Sequence, residues 1–155
     1  MGKYFDLTAL LNSYNNLLSG WVLLLTGLFG AYWYLFAALL LFNGLDWLTG
    51  WYKARQQRQE SSRAGLQGLI KKLLCWVLLA VAFTTAAVLS SFGADVLHVD
   101  LSFLELLGWF VLASLVVNEA RSIVENLVAV GVAVPAVLTK GLQVAAEVLD
   151  KSVKR

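Results

Sequence analysis

Charge is what this sequence has least of. Asp, Glu, Lys and Arg make up 14% of its 155 residues, against 59% hydrophobic residues, whereas a soluble domain carries about a quarter charged residues. A single core does not absorb that much apolar surface, because a water-soluble chain must also build a polar exterior. With a mean hydropathy of +0.72, the composition argues against a water-soluble enzyme. Cysteine is equally scarce. Cys75 stands alone inside an apolar run, so no intrachain disulfide is possible and the redox compartment cannot be read. One Cys and one His, His98, are too few to build a zinc site. No His-Glu ligand motif or nucleophile elbow is present, and Gly65 and Gly68 do not form a phosphate loop. Neither a catalytic residue nor a cofactor is expected. Twelve Lys and Arg against ten Asp and Glu give a net charge of +2, which indicates no general attraction to nucleic acid.

What is present is long apolar runs. Trp21 to Phe42 is uncharged, as is the stretch between Lys72 and Asp95, and Leu101 to Val117 is interrupted only by Glu105. About 20 apolar residues cross the hydrocarbon layer as a helix, and helices satisfy their own backbone in lipid. The expectation is an all-α integral membrane protein, one domain over residues 1–155. Its three transmembrane helices lie at about 21–50, 69–92 and 101–130. The first run lacks a basic leader and a clear small-residue cleavage site, so it reads as a retained span.

Lys and Arg in the short connections set the orientation. Between the first two runs stand Lys53, Arg55, Arg58, Arg63, Lys71 and Lys72, opposed by Glu60; between the second and third stand Asp95, His98 and Asp100. The first connection and the C-terminus are therefore expected in the cytoplasm, with the N-terminus and the second connection outside. Amphipathic segments flank the spans. Leu7, Leu10, Leu11, Tyr14, Leu17 and Leu18 recur at helical spacing over about 5–18. Leu138, Leu142, Ala145 and Leu149 do the same over about 135–150, after Pro135, which suits a first helical turn. Ser61 or Ser62 is the expected cap of the second helix.

Polar groups within spans are expensive and so informative. At about 100° per residue, Ser114, Asn118, Ser122 and Glu125 of the third helix share a narrow sector. Arg121 flanks it on one side, Glu119 and Asn126 on the other. Either this face closes against other subunits or lines water, or the helix leaves the membrane after Val117 and its charges pair at the surface. Asp46 is the other candidate, with Asn43 and Gly50 on roughly the same side. A span starting at Trp21 places Asp46 at the headgroups; one running from Trp33 to Trp51 or Tyr52 places it deeper, paired with Arg121 or a cation of the first connection. In the second helix Ala80, Thr84, Ala87 and Ser91 form a stripe of small residues suited to helix packing.

The stretch GLDWLTGWYKARQQRQESSRAGLQGLIKKLL resembles a signature of the phage-lysis and toxin-secretion holin family. The matching positions are Asp46, Thr49 and Gly50; Ser62, Gly65 and Gly68; and Lys71 with Lys72. NEARSIVENLVAVGVAVP is similar to that family's second block, through Asn118, Glu119, Ser122, Ile123, Glu125, Asn126, Gly131 and Pro135. The hydrophobic N-terminal region is longer than in many members. The resemblance implies a multi-pass protein of the bacterial cytoplasmic membrane that self-associates into a large homo-oligomer and opens a lesion. An endolysin or a toxin would then cross without stable binding. An antiholin would be a possible partner, and an antiholin or structural membrane subunit is the alternative identity. A small transporter is disfavoured, because repeated halves and broken spans are lacking.

Overall fold

The computed structural model describes residues 15–23, 26, 30 and 32–153, and its described residues are helical or connecting, without a strand. The chain divides into two units, Met1–Ala37 and Ala38–Arg155. In the first unit residues 15–23 are helical, while positions 5–14 of the expected amphipathic segment lie outside the described residues. Gly30 has φ +72°, which is outside helical backbone. The run from Trp21 is therefore not continued as one helix, and α1 begins at Trp33 and ends at Gln56. The helix starts at Trp33, where the later of the two registers that the sequence left open would start.

Three more helices follow: α2, Ser62–Phe92; α3, Glu105–Ala129; and α4, Ala136–Val153. Ser61 caps α2, with extended backbone and a hydroxyl that accepts from Ala64 N at 3.4 Å, satisfying a donor left free by the first turn. At its far end α2 widens into a π-helical turn, Gly93–Leu97, closed by His98 in the left-handed region. Gly93 is needed there. A Cβ would lie 2.7 Å from the Leu101 side chain and 2.9 Å from Val99 O.

A 3-10 turn, Ser102–Leu104, leads into α3, and the Asp100 carboxylate accepts from Ser102 N at 2.9 Å. The far end of α3 has Gly131 at φ +88°, with Val132 N bonded to Leu127 O and Gly131 N to Val128 O, each at 3.0 Å. That 6→1 and 5→2 pair is a Schellman stop. The exit from α1 repeats it. Gln59 N reaches Ala54 O at 2.9 Å and Arg58 N reaches Arg55 O at 3.2 Å, with Arg58 in the glycine-like role at φ 53°.

Ser62–Leu97 and Ser102–Ala129 are each long and apolar enough to cross a membrane. α1 carries Asn43 and Asp46 midway and is less apolar than α2 and α3. The described apolar surface is turned outward. Leu73, Leu74, Val77, Leu78 and Val81 of α2 are all exposed, and among the described residues the buried apolar set is Leu39, Leu79, Ala82, Ala86, Leu112 and Val124. α2 and α3 approach closely where Gly108 faces Phe83, whose ring would stand 2.6 Å from an added Cβ. Phe83 also meets Trp109 edge-on, with centroids 5.1 Å apart.

The small-residue stripe lies elsewhere than this contact. Ala80, Thr84, Ala87 and Ser91 are all exposed, and within one chain α2 packs through Leu79, Ala82, Phe83 and Ala86. Both stripes have helical spacing and differ by a fraction of a turn. On a helix apolar all round, periodicity does not choose between them.

Candidate functional site

The interior of the second unit is polar at one end. Lys72 of α2 stands between two carboxylates, reaching Asp46 Oδ2 of α1 at 2.9 Å and Glu119 Oε2 of α3. All three side chains are mostly enclosed, at 15–17% exposure. Asn126, one turn pair further along α3 and 6% exposed, extends the junction. Its amide nitrogen donates to Asp46 Oδ1 at 3.1 Å and to Thr49 Oγ1 at 3.3 Å, and its oxygen accepts from Lys53 Nζ at 2.5 Å. On the other side Asn43, with its amide oriented to satisfy both neighbours, donates to Glu119 Oε1 at 3.1 Å and accepts from Trp76 Nε1 at 2.8 Å.

Helix periodicity explains why these residues meet. Asn43, Asp46, Gly50 and Lys53 recur at three, four and three residues, so they share one face of α1. Gly50 lies beside Asn126, whose amide nitrogen would be in ordinary contact with a Cβ there, at 3.5 Å. Lys72 and Trp76 are four apart on α2, and Glu119 and Asn126 are seven apart on α3. Of the consecutive Lys71 and Lys72 only one can face inward, and Lys71 is exposed. No buried side-chain polar atom among the described residues lacks a partner. In a low-dielectric setting that completeness matters, since an unpaired charge there is costly.

The expected polar face of α3 is thereby divided. Glu119 and Asn126, expected at its margin, turn into the bundle. Asn118, Arg121 and Glu125 are exposed, while Ser114 and Ser122 are half-buried. Arg121 pairs with Glu125 on its own helix at 3.0 Å and not with Asp46, which takes a cation from the start of α2 instead. A groove lined by Arg121, Val124, Glu125, Thr139, Leu142 and Gln143 runs between α3 and α4. The described residues contain no cluster of His, Cys, Asp and Glu able to hold a metal.

Sequence reasoning singled out Asp46, Asn43, Glu119 and Asn126 as candidates for contacts between copies or with water, and the structure brings them together within one chain. It counted Lys53 and Lys72 among the cations of the first connection, any of which could pair with Asp46, without singling out either, and it missed Trp76 as a hydrogen-bond donor. The available signal was the spacing from Lys72 to Trp76, which puts a cation and an indole N–H on one face.

Comparison with known proteins shows the family. Residues 23–147 match the model of the bacteriophage holin family. Two uncharacterised proteins of Clostridium perfringens are similar. One, from strain 13, is 36% identical over 77% of this chain and 81% of its own length; the other, a 14.9 kDa protein from the nagH 3′ region, is 35% identical over 77% and 83%. A Bacillus phage phi105 protein named "Probable holin" is 33% identical over 76% of this chain and 77% of its own length. No solved structure matches significantly. The chain belongs to the bacteriophage holin family, and it is a helical membrane protein. The junction unites both stretches that carry the resemblance: Asp46, Thr49 and Lys72 from the first, Glu119 and Asn126 from the second.

Proposed function

We propose that this protein is a holin: copies accumulate in the bacterial cytoplasmic membrane, associate, and open a lesion through which an endolysin or a secreted toxin passes. Family membership over residues 23–147 carries this reading. The outward apolar surface supports it, because such a surface suits lipid as solvent.

In this reading α1, α2 and α3 each cross the bilayer, with the first connection and α4 in the cytoplasm and the N-terminus outside. Leu73 to Phe92 is 20 residues, about 30 Å of helix, which matches the hydrocarbon thickness. Lys72 then marks its cytoplasmic edge, and the exposed Arg121 and Glu125 fall beyond it. Those two, with Ser114, Asn118 and Ser122, are the candidates for contacts between copies or with water. Asn43, Asp46, Glu119 and Asn126 hold each copy together. Opening is a two-state rearrangement, favoured once enough neighbours are present to shelter polar groups that a single copy cannot expose to lipid.

Controlled expression in bacteria beside a cytoplasmic endolysin is the test. A holin stops growth abruptly and delivers the enzyme to the wall. Delay of lysis by another holin, with no lysis of its own, would identify an antiholin and overturn the proposal.

A further inference from the structure

The six cations of the first connection separate by direction. Lys53 and Lys72 turn inward to Asn126 and the two carboxylates. Arg55, Arg58, Arg63 and Lys71 are exposed, and among the described residues no ion pair neutralises them. Glu60, the acid nearest to them in sequence, is also exposed and forms none. Orientation alone asks only that cations be on this side. It does not explain why these remain unpaired beside a cluster of aromatic side chains.

That cluster is Trp47, Trp51 and Tyr52, all exposed on the last turns of α1. The Arg55 guanidinium lies over the Trp51 ring, 5.3 Å from its centroid, in cation–π range. The layers follow from helical rise. Asp46 and Lys72 are in contact, so they define one level of the antiparallel pair. Trp51 lies about 7 Å beyond that level, and Arg55 and Arg63 both lie about 13 Å beyond it, at 1.5 Å per residue. Carboxylate junction, indole, then guanidinium is the order of a surface that passes from hydrocarbon into headgroups.

We propose that Arg55, stacked on Trp51, together with Arg58 and Arg63 of the same connection, forms a docking surface for anionic phospholipid headgroups. Guanidinium groups bind phosphate oxygens through paired N–H donors. The indoles of Trp47 and Trp51 lie between the hydrocarbon edge and the guanidinium level, where the glycerol region of the same lipid would cover them. A soluble polyanion would satisfy the arginines and leave Trp47 and Trp51 in water, so the pattern favours lipid. The inference rests on membrane insertion with this end at a headgroup layer, and it does not depend on lesion formation.

The full chain, reconstituted in phosphatidylglycerol and phosphatidylcholine and then extracted in mild detergent, should retain the anionic lipid in excess when bound lipids are weighed by mass spectrometry. Removing cations near the surface costs about fivefold per charge. R55Q/R63Q should therefore lower the enrichment at least tenfold, and K140Q/K151Q, equal in lost charge but placed on α4, should keep it. Helical circular dichroism of both variants checks that the fold persists. The proposal is overturned by equal retention of the two lipids in the parent protein, by unchanged enrichment in R55Q/R63Q, or by equal loss in the α4 control.

Discussion

Lys72 Nζ lies 2.9 Å from Asp46 Oδ2 and also bonds to Glu119, so one ammonium from α2 holds carboxylates from α1 and α3 together. Removing one partner of a buried ion pair costs more than removing the whole set, because the remaining charge has no solvent. Lys72→Met should destabilise the bundle by about 2 kcal/mol, below the 3–5 kcal/mol of a fully buried pair because some exposure remains. The triple variant Lys72→Met/Asp46→Asn/Glu119→Gln should recover most of that loss. Reversible unfolding in mixed micelles measures both; equal stability of the single and triple variants would contradict the arrangement.

Gly108 sits under the Phe83 ring with no space for a methyl group. Overpacking of this kind costs about 1–3 kcal/mol. Gly108→Ala should therefore lower the midpoint of unfolding, and Phe83→Leu in the same chain should restore part of it. A neutral Gly108→Ala would mean that α2 and α3 lie further apart.

Arg58 has φ 53° at the stop of α1, where a Cβ costs about 1 kcal/mol or slightly more relative to glycine. Arg58→Gly should raise stability by about that amount, whereas Arg58→Ala, which removes the same charge and keeps the strain, should not. Thermal unfolding of the pair separates backbone from charge.

Asp100 accepts a hydrogen bond from the Ser102 backbone N–H, which holds its carboxyl below the ordinary value of 3.8. A lowered folded-state value means the stabilisation is present above the ordinary carboxylate range and is lost as pH falls through the depressed value. Amide exchange at Ser102 should therefore quicken relative to its neighbours on acidification below about pH 4. In Asp100→Asn that pH dependence should vanish.

The native Cys75 makes orientation measurable. It lies three residues inside Lys72 on α2, within the proposed hydrocarbon layer, and should resist an impermeant maleimide. In a Cys75→Ala background, His98→Cys should label from outside intact cells, and Arg58→Cys only after permeabilisation. The reverse pattern would invert the proposed topology.

The helical class and the apolar runs of α2 and α3 were legible because composition and run length are one-dimensional properties. So was a serine cap at Ser61 or Ser62, of which the structure uses Ser61, since a cap is a local hydrogen bond. The start of α1 was not, because the run from Trp21 to Phe42 is uniformly apolar and Gly30 is an inconspicuous breaker within it. Asp46, Asn43 and Gly50 were correctly placed on one side by spacing alone. Pairing was harder. Arg121 and Lys72 were both available to Asp46, and the choice depends on how α2 is rotated about its axis, which a helix apolar nearly all round does not encode.

The sequence order of the junction has a consequence for biosynthesis. A ribosome delivers Asp46 first, then the lysines of the following connection, and Glu119 only afterwards. The second acid thus reaches a nascent chain that already carries its counter-ion, and at no stage of translation are the two carboxylates of the junction present without Lys72.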